Sequence, residues 1–192
     1  MKLRASIAAL LCVFAVEANA REIDLSLSDD TVLIRYATPV SYSSAGKTEV
    51  DVGLMYTESD DIMIQGGIEM MGEAGSHAPG LHFGVGIKGY GVSLDSGDDV
   101  GSITLGAKGW YVPPKINRLG LVAQLYFGPD ITTFGDAEKF WDFSGRAEYE
   151  VLPEAAVYFG YRKVRARLDR NVSGSRDVDL DKGWHVGLRM SF

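Results

Sequence analysis

Few side chains in this sequence could make or break bonds, and they are scattered. The histidines are His77, His82 and His185, and the single cysteine is Cys12. No group of them has metal-ligand spacing, so no metal or other cofactor is expected. His185 beside a serine could serve as the base of a hydrolytic pair, and Ser144 and Ser191 share its parity along the chain. Nothing in the sequence brings either serine to it. A larger store of chemistry is electrostatic. Arg35, Glu49, Asp51, Glu69, Lys88, Lys108, Arg146, Glu148, Glu150, Arg162, His185 and Arg189 each fall on the polar side of a stretch whose other side is apolar. Each alone would be expensive to bury. Brought together at similar depth, their mixed signs would form a network of ion pairs and hydrogen bonds.

Only elements of period two can hold them that way. Trp184, Val186, Leu188, Met190 and Phe192 share one parity, and Gly183, His185, Gly187, Arg189 and Ser191 share the other. This is a strand with one apolar face. The same alternation recurs along the chain. Ile23, Leu25 and Leu27 oppose Asp24, Ser26 and Ser28; after a turn at Ser28-Asp29-Asp30, Val32, Ile34 and Tyr36 oppose Leu33, Arg35 and Ala37. Pro39 to Lys47 reads as a loop. Two further strands meet at a tight turn, Ser59-Asp60-Asp61. Leu81 to Leu94 and Ile103 to Tyr111 pair around Asp95–Asp99, and Pro113-Pro114 ends the second of them. Leu119 to Gly128 is followed by a longer loop, Pro129 to Phe140. Trp141 to Val151 turns at Leu152-Pro153 into Val157–Arg162. Beyond Lys163 the parity becomes unclear, which a bulge or an exit from the membrane would explain.

The start of the chain describes export. Lys2 and Arg4 precede a short apolar stretch from Ile7 to Val16, and Ala18-Asn19-Ala20 fits signal-peptidase cleavage. Residues 1–20 are therefore expected to be a cleaved signal and 21–192 a single domain. Cys12 lies inside the signal behind the bulky Leu11, which argues against lipidation. The formal net charge is −7; losing Lys2, Arg4 and Glu17 makes the chain one unit more acidic. An acidic chain without a basic block is a poor nucleic-acid binder. No segment approaches the ~20 continuous apolar residues of a membrane helix.

Strands that present an apolar face to one side make sense if they close a barrel in lipid. The expected fold is all-β: a single antiparallel up-and-down transmembrane β-barrel of about ten strands, with eight as the nearest alternative. An even number brings both termini to the periplasmic side. Tyr36, Tyr56, Tyr111, Trp141, Tyr149 and Trp184 would form interfacial girdles. The charged residues, with Tyr90, Trp110 and Tyr158, would fill a plugged or very narrow interior. Asp95, Asp98, Asp99, Asp130, Asp136, Asp177, Asp179 and Asp181 would lie on the outer surface. They could share divalent cations with lipopolysaccharide, although ordinary solvated loops explain them as well. The main rivals are a narrow channel for small solutes, a lipid-modifying enzyme using His185, and a soluble lipocalin-like carrier with the faces reversed.

The Leu81–Gly91 segment, the Phe159-Gly160-Tyr161-Arg162 stretch and the end from Gly183 to Phe192 resemble the YfaZ family of bacterial outer-membrane proteins, and the resemblance extends over the whole mature chain. It implies an outer-membrane barrel with no established activity and no catalytic motif to carry over. Trp184, Val186, Leu188, Met190 and Phe192 look like the signal read by the barrel-assembly machinery. The expected partners are that machinery, outer-membrane lipids and lipopolysaccharide, and the expected state is a monomer in the outer membrane.

Overall fold

The computed structural model describes residues 21–43, 46–75, 78–168 and 176–192. His77, Cys12 and the expected signal lie outside them. The described chain is almost entirely strand: β1 (Glu22–Ser28), β2 (Thr31–Ser43), β3 (Gly46–Thr57), β4 (Ile62–Glu73), β5 (Leu81–Ser93), β6 (Asp99–Tyr111), β7 (Leu119–Gly128), β8 (Thr133–Gly135), β9 (Ala137–Leu152), β10 (Ala155–Leu168) and β11 (Arg176–Ser191). Sequential neighbours pair antiparallel, β7 pairs directly with β9, and β1 closes the ring against β11. Ten strands form the barrel; the three-residue β8 is a stub on the end of β6, at Val100–Ser102. Each of the ten has two neighbours, so the barrel has no open edge. The eight-strand alternative fails because β1 and β2 are separate strands, joined at Asp29-Asp30. There the Ser28 hydroxyl accepts from the Thr31 amide at 3.1 Å.

Two expected loops are shorter than the sequence implied. β2 continues through Pro39 to Ser43, because a bulge between Pro39 and Ser41 absorbs the missing amide donor. The stretch from Pro129 to Phe140 contains a 3₁₀ turn (Asp130–Thr132), β8 and the start of β9. The irregularity beyond Lys163 is a bulge between Val164 and Arg165 against β11. It lies in β11, where Leu180 and Asp181 are both buried. β10 itself keeps its alternation, with Val164, Ala166 and Leu168 inward and Arg165 and Arg167 on the outer face.

The two faces of the wall differ sharply. Outside, Leu54, Ile64, Ile68, Phe83, Val85, Ile87, Ile103, Leu105, Phe159 and Val186 are exposed around the ring. A soluble protein rarely shows an apolar surface that extensive, whereas a membrane barrel requires it. Tyr56, Trp141 and Trp184 stand outward toward one end of this belt, with Tyr111 and Tyr149 toward the other. Inside, polar and charged residues are buried, the reverse of a lipocalin-like carrier. Arg21 and Phe192 exchange backbone hydrogen bonds of 2.7 and 2.9 Å, so both described termini sit at one end. The 74–80, 112–118 and Pro153-Glu154 connections share that end; the 94–98 and 129–136 connections lie at the other.

Candidate functional site

The lumen has two zones. From the terminal end to mid-barrel it is a network of ion pairs. Glu22 on β1 pairs with Arg35 on β2 at 3.1 Å and with Arg189 on β11 at 3.3 Å. Arg189 reaches Glu148 on β9 at 2.8 Å, and Glu148 pairs with Arg146 at 2.6 Å. Arg146 crosses the barrel to Asp24 at 2.5 Å, and Asp24 also accepts from the Tyr158 hydroxyl. Lys47 and Glu49 pair at 2.7 Å at the rim. Deeper, Lys108 and Tyr126 both serve Glu69, at 3.3 and 2.7 Å. Lys88 is 1% exposed, with Asp51 at 3.7 Å and the Tyr126 ring at 4.5 Å. Tyr90 donates to Asp142 at 2.7 Å, and Arg162 is held by Asp181 and by Thr31 at 3.0 Å. Arg35, Lys88, Arg146, Arg162 and Arg189 each have a carboxylate within 4 Å, while, among the described residues, Asp142 is held by the Tyr90 hydroxyl alone.

Toward the other end, beside the Arg162–Asp181–Thr31 group, the lining turns largely apolar. Met55, Met63, Val92, Val100, Phe140, Val164, Leu168 and Leu180 form one buried cluster with Tyr90. Its members come from the parts of β3, β4, β5, β6, β9, β10 and β11 near the connections opposite the termini. Between cap and network remains a cavity of about 40 Å³, lined by Asp24, Arg35, Arg146, Tyr158, Arg162 and His185 among others. Another of about 30 Å³ lies beside Lys47 and Trp110.

Eleven of the twelve residues expected inside line this interior: Arg35, Glu49, Asp51, Glu69, Lys88, Lys108, Arg146, Glu148, Arg162, His185 and Arg189. Glu150 departs from that pattern. It is exposed near the rim, where a bulge between Ala155 and Ala156 shifts the register of β9 against β10. Asp24, Glu22, Tyr126 and Asp142 are equally central, yet sequence reasoning left them out, and Asp181, expected on the outer surface, is instead buried in the lumen against Arg162. Inward parity was available for Asp24 and Asp142; the bulge hid Asp181.

His185 is buried against Tyr158, edge to face at 5.8 Å. Ser144 lines the same cavity as His185, whereas Ser191 stands opposite Glu22 at the terminal end. Among the described residues no cluster of His, Cys, Asp and Glu is able to hold a metal ion. His82 lies against Trp110 with ring centroids 5.7 Å apart. Of the external carboxylates, Asp177 and Asp179 bind Arg165 at 3.0 and 2.6 Å, and the Arg165 hydrogen bond holds the Asp179 carboxyl below the usual aspartate range.

A closed ten-stranded ring with an apolar exterior, aromatic belts and a polar interior defines a β-barrel of the outer-membrane type. The family model described as "YfaZ precursor" matches residues 1–192, and the chain belongs to the YfaZ family. Family and fold together point to an exported outer-membrane protein. No curated protein matches the chain. Similar solved structures include the KdgM porin in complex with disordered oligogalacturonate, 11% identical over 90% of this chain and 99% of that one, with a TM-score of 0.44. The NanC porin is 10% identical over 91% and 100%, with a TM-score of 0.44. The outer-membrane channel DcaP of Acinetobacter baumannii is 9% identical over 93% and 60%, also with a TM-score of 0.44.

Proposed function

We propose that this protein is a structural barrel of the outer membrane whose lumen is sealed, exported by cleavage after Ala20 and working as a monomer through its outer face and exposed end. The apolar cap from Met55 to Leu180 carries this reading. A hydrated ion crossing the barrel would have to shed its water there, and the one hydroxyl of the cluster, that of Tyr90, is already given to Asp142. Below the cap, ion pairs tie β1, β2, β9 and β11 together across the space a solute would need. The network then serves to fix the barrel rather than to conduct. A lipid-modifying activity has less support, because His185 faces the enclosed lumen while lipid lies outside. Its expected partners are the assembly machinery, outer-membrane lipids and lipopolysaccharide.

Planar-bilayer recording of the purified barrel tests the sealed lumen. Silent membranes are expected across a wide voltage range. Reproducible conductance steps that change on Glu49→Gln, Lys88→Gln or Arg146→Gln would establish the narrow-channel alternative.

A further inference from the structure

Five cations stand together on the outward face of the barrel, at the end opposite the termini. Lys163, Arg165 and Arg167 occupy alternate positions of β10, flanked by Lys182 on β11 and Lys139 on β9. The register sets Lys163 opposite Lys182, and Arg167 opposite Lys139. Like charges directly opposite each other across a sheet are destabilising. Two such pairs in one patch call for a counter-charge. Among the described residues, the carboxylates that ion-pair with the patch are Asp177 and Asp179, two against five cations. Both are engaged by Arg165, and Asp177 also faces Arg167 at 3.6 Å; Lys182 approaches Asp179 only at 3.9 Å and keeps half of its side chain exposed.

The position of the patch indicates what the counter-charge is. One step toward the lipid belt, Tyr161 pairs with Trp184, and Trp184 stacks on Phe159 at 5.0 Å with the rings 5° from parallel. Tyr161 meets the same indole edge-on at 5.5 Å. Trp141 lies opposite Arg165 on β9. Tryptophan and tyrosine on the lipid side of a barrel mark the level of the headgroups. The Lys163–Lys182 row is two residues further out, about 7 Å along the strands. Cations at that height face the phosphates of the lipids around the barrel.

We propose that this face binds the phosphorylated headgroup of a lipid in the outer leaflet, with Lys163, Lys182 and Arg167 on its phosphates and the Trp184–Tyr161 pair beneath its sugar or upper acyl carbons. Arginine and lysine supply charge-assisted hydrogen bonds to phosphate, and the lipid neutralises the Lys163–Lys182 pair and adds to the single carboxylate, Asp177 at 3.6 Å, that faces the Arg167–Lys139 pair. The assignment replaces cation-bridged contacts through the acidic loops with direct contacts through basic strands. It rests on the outer-membrane reading above, with the termini toward the periplasm.

The test uses the barrel of residues 21–192 folded in dodecyl maltoside, with the temperature at which the folded gel band is lost as readout. Diphosphoryl lipid A is expected to raise that temperature by several degrees, and lipid A stripped of phosphate to leave it unchanged. Lys163→Gln/Lys182→Gln should abolish the rise, and a second pair, Lys139→Gln/Arg167→Gln, should reduce it. The unboiled mobility of each variant shows that it still folds. Equal stabilisation by both lipids, or a full rise in both variants, would overturn the site. Stabilisation by heparin without any by lipid A would also overturn it, in favour of a soluble polyanion. Absence of a folded band in the unmodified protein would instead count against the barrel reading beneath it.

Discussion

At the scale of single residues, Asp24 is the junction of the lumen. It meets Arg146, Arg35 and Tyr158 from three different strands. Asp24→Ala leaves a buried arginine short of a partner, a loss of about 3–5 kcal/mol where nothing else compensates. Arg146 keeps Glu148 and Arg35 keeps Glu22, so the lower end, about 3 kcal/mol, is expected in urea unfolding from detergent. An unchanged midpoint would remove Asp24 from its central place. Gly187 makes a different demand. A Cβ at this position would run into the Tyr158 ring that lies over it and into the Leu25 carbonyl of the paired strand β1. Gly187→Ala should therefore lower stability by about 1–3 kcal/mol through overpacking, measured as a lower temperature of band conversion; no change would mean that neither Tyr158 nor the β1 backbone constrains this position. Neither role was readable in advance. Parity put Asp24 and Gly187 on the inner side of their strands, but alternation says nothing about which inward residues meet across a lumen.

Among the elements, β11 has the most to do. It closes the ring against β1, carries Arg189 and His185 inward, and presents Trp184, Val186 and Met190 outward. Removing Phe192 should leave export intact but give poor insertion and a protease-sensitive chain, read from digestion of envelope fractions; normal insertion would contradict an assembly role for this strand end. The strands were legible because one face of each meets lipid and the other the lumen, which forces strict alternation on the sequence. Legibility failed where the backbone departs from that period. Pro39 suggested a loop until the bulge at Val40 absorbed it, and Leu180 beside Asp181 broke the parity that would have placed both.

For the whole molecule, the sequence indicated a filled interior but not its division into a charged half and an apolar cap. Met55 and Met63 sat on the inward parity, yet a few apolar residues among glycines do not announce a cluster until the strands curve around and bring them together. Sealing, the ion-pair network and the lipid-facing cations all depend on one premise, that the apolar face of this barrel meets lipid. Gel mobility of detergent-extracted envelope fractions, run boiled and unboiled, tests it most directly. The account predicts a band in the outer-membrane fraction that shifts on boiling, as a closed and stable barrel would. An unshifted band in the soluble periplasm would contradict it and would reverse every assignment of inside and outside.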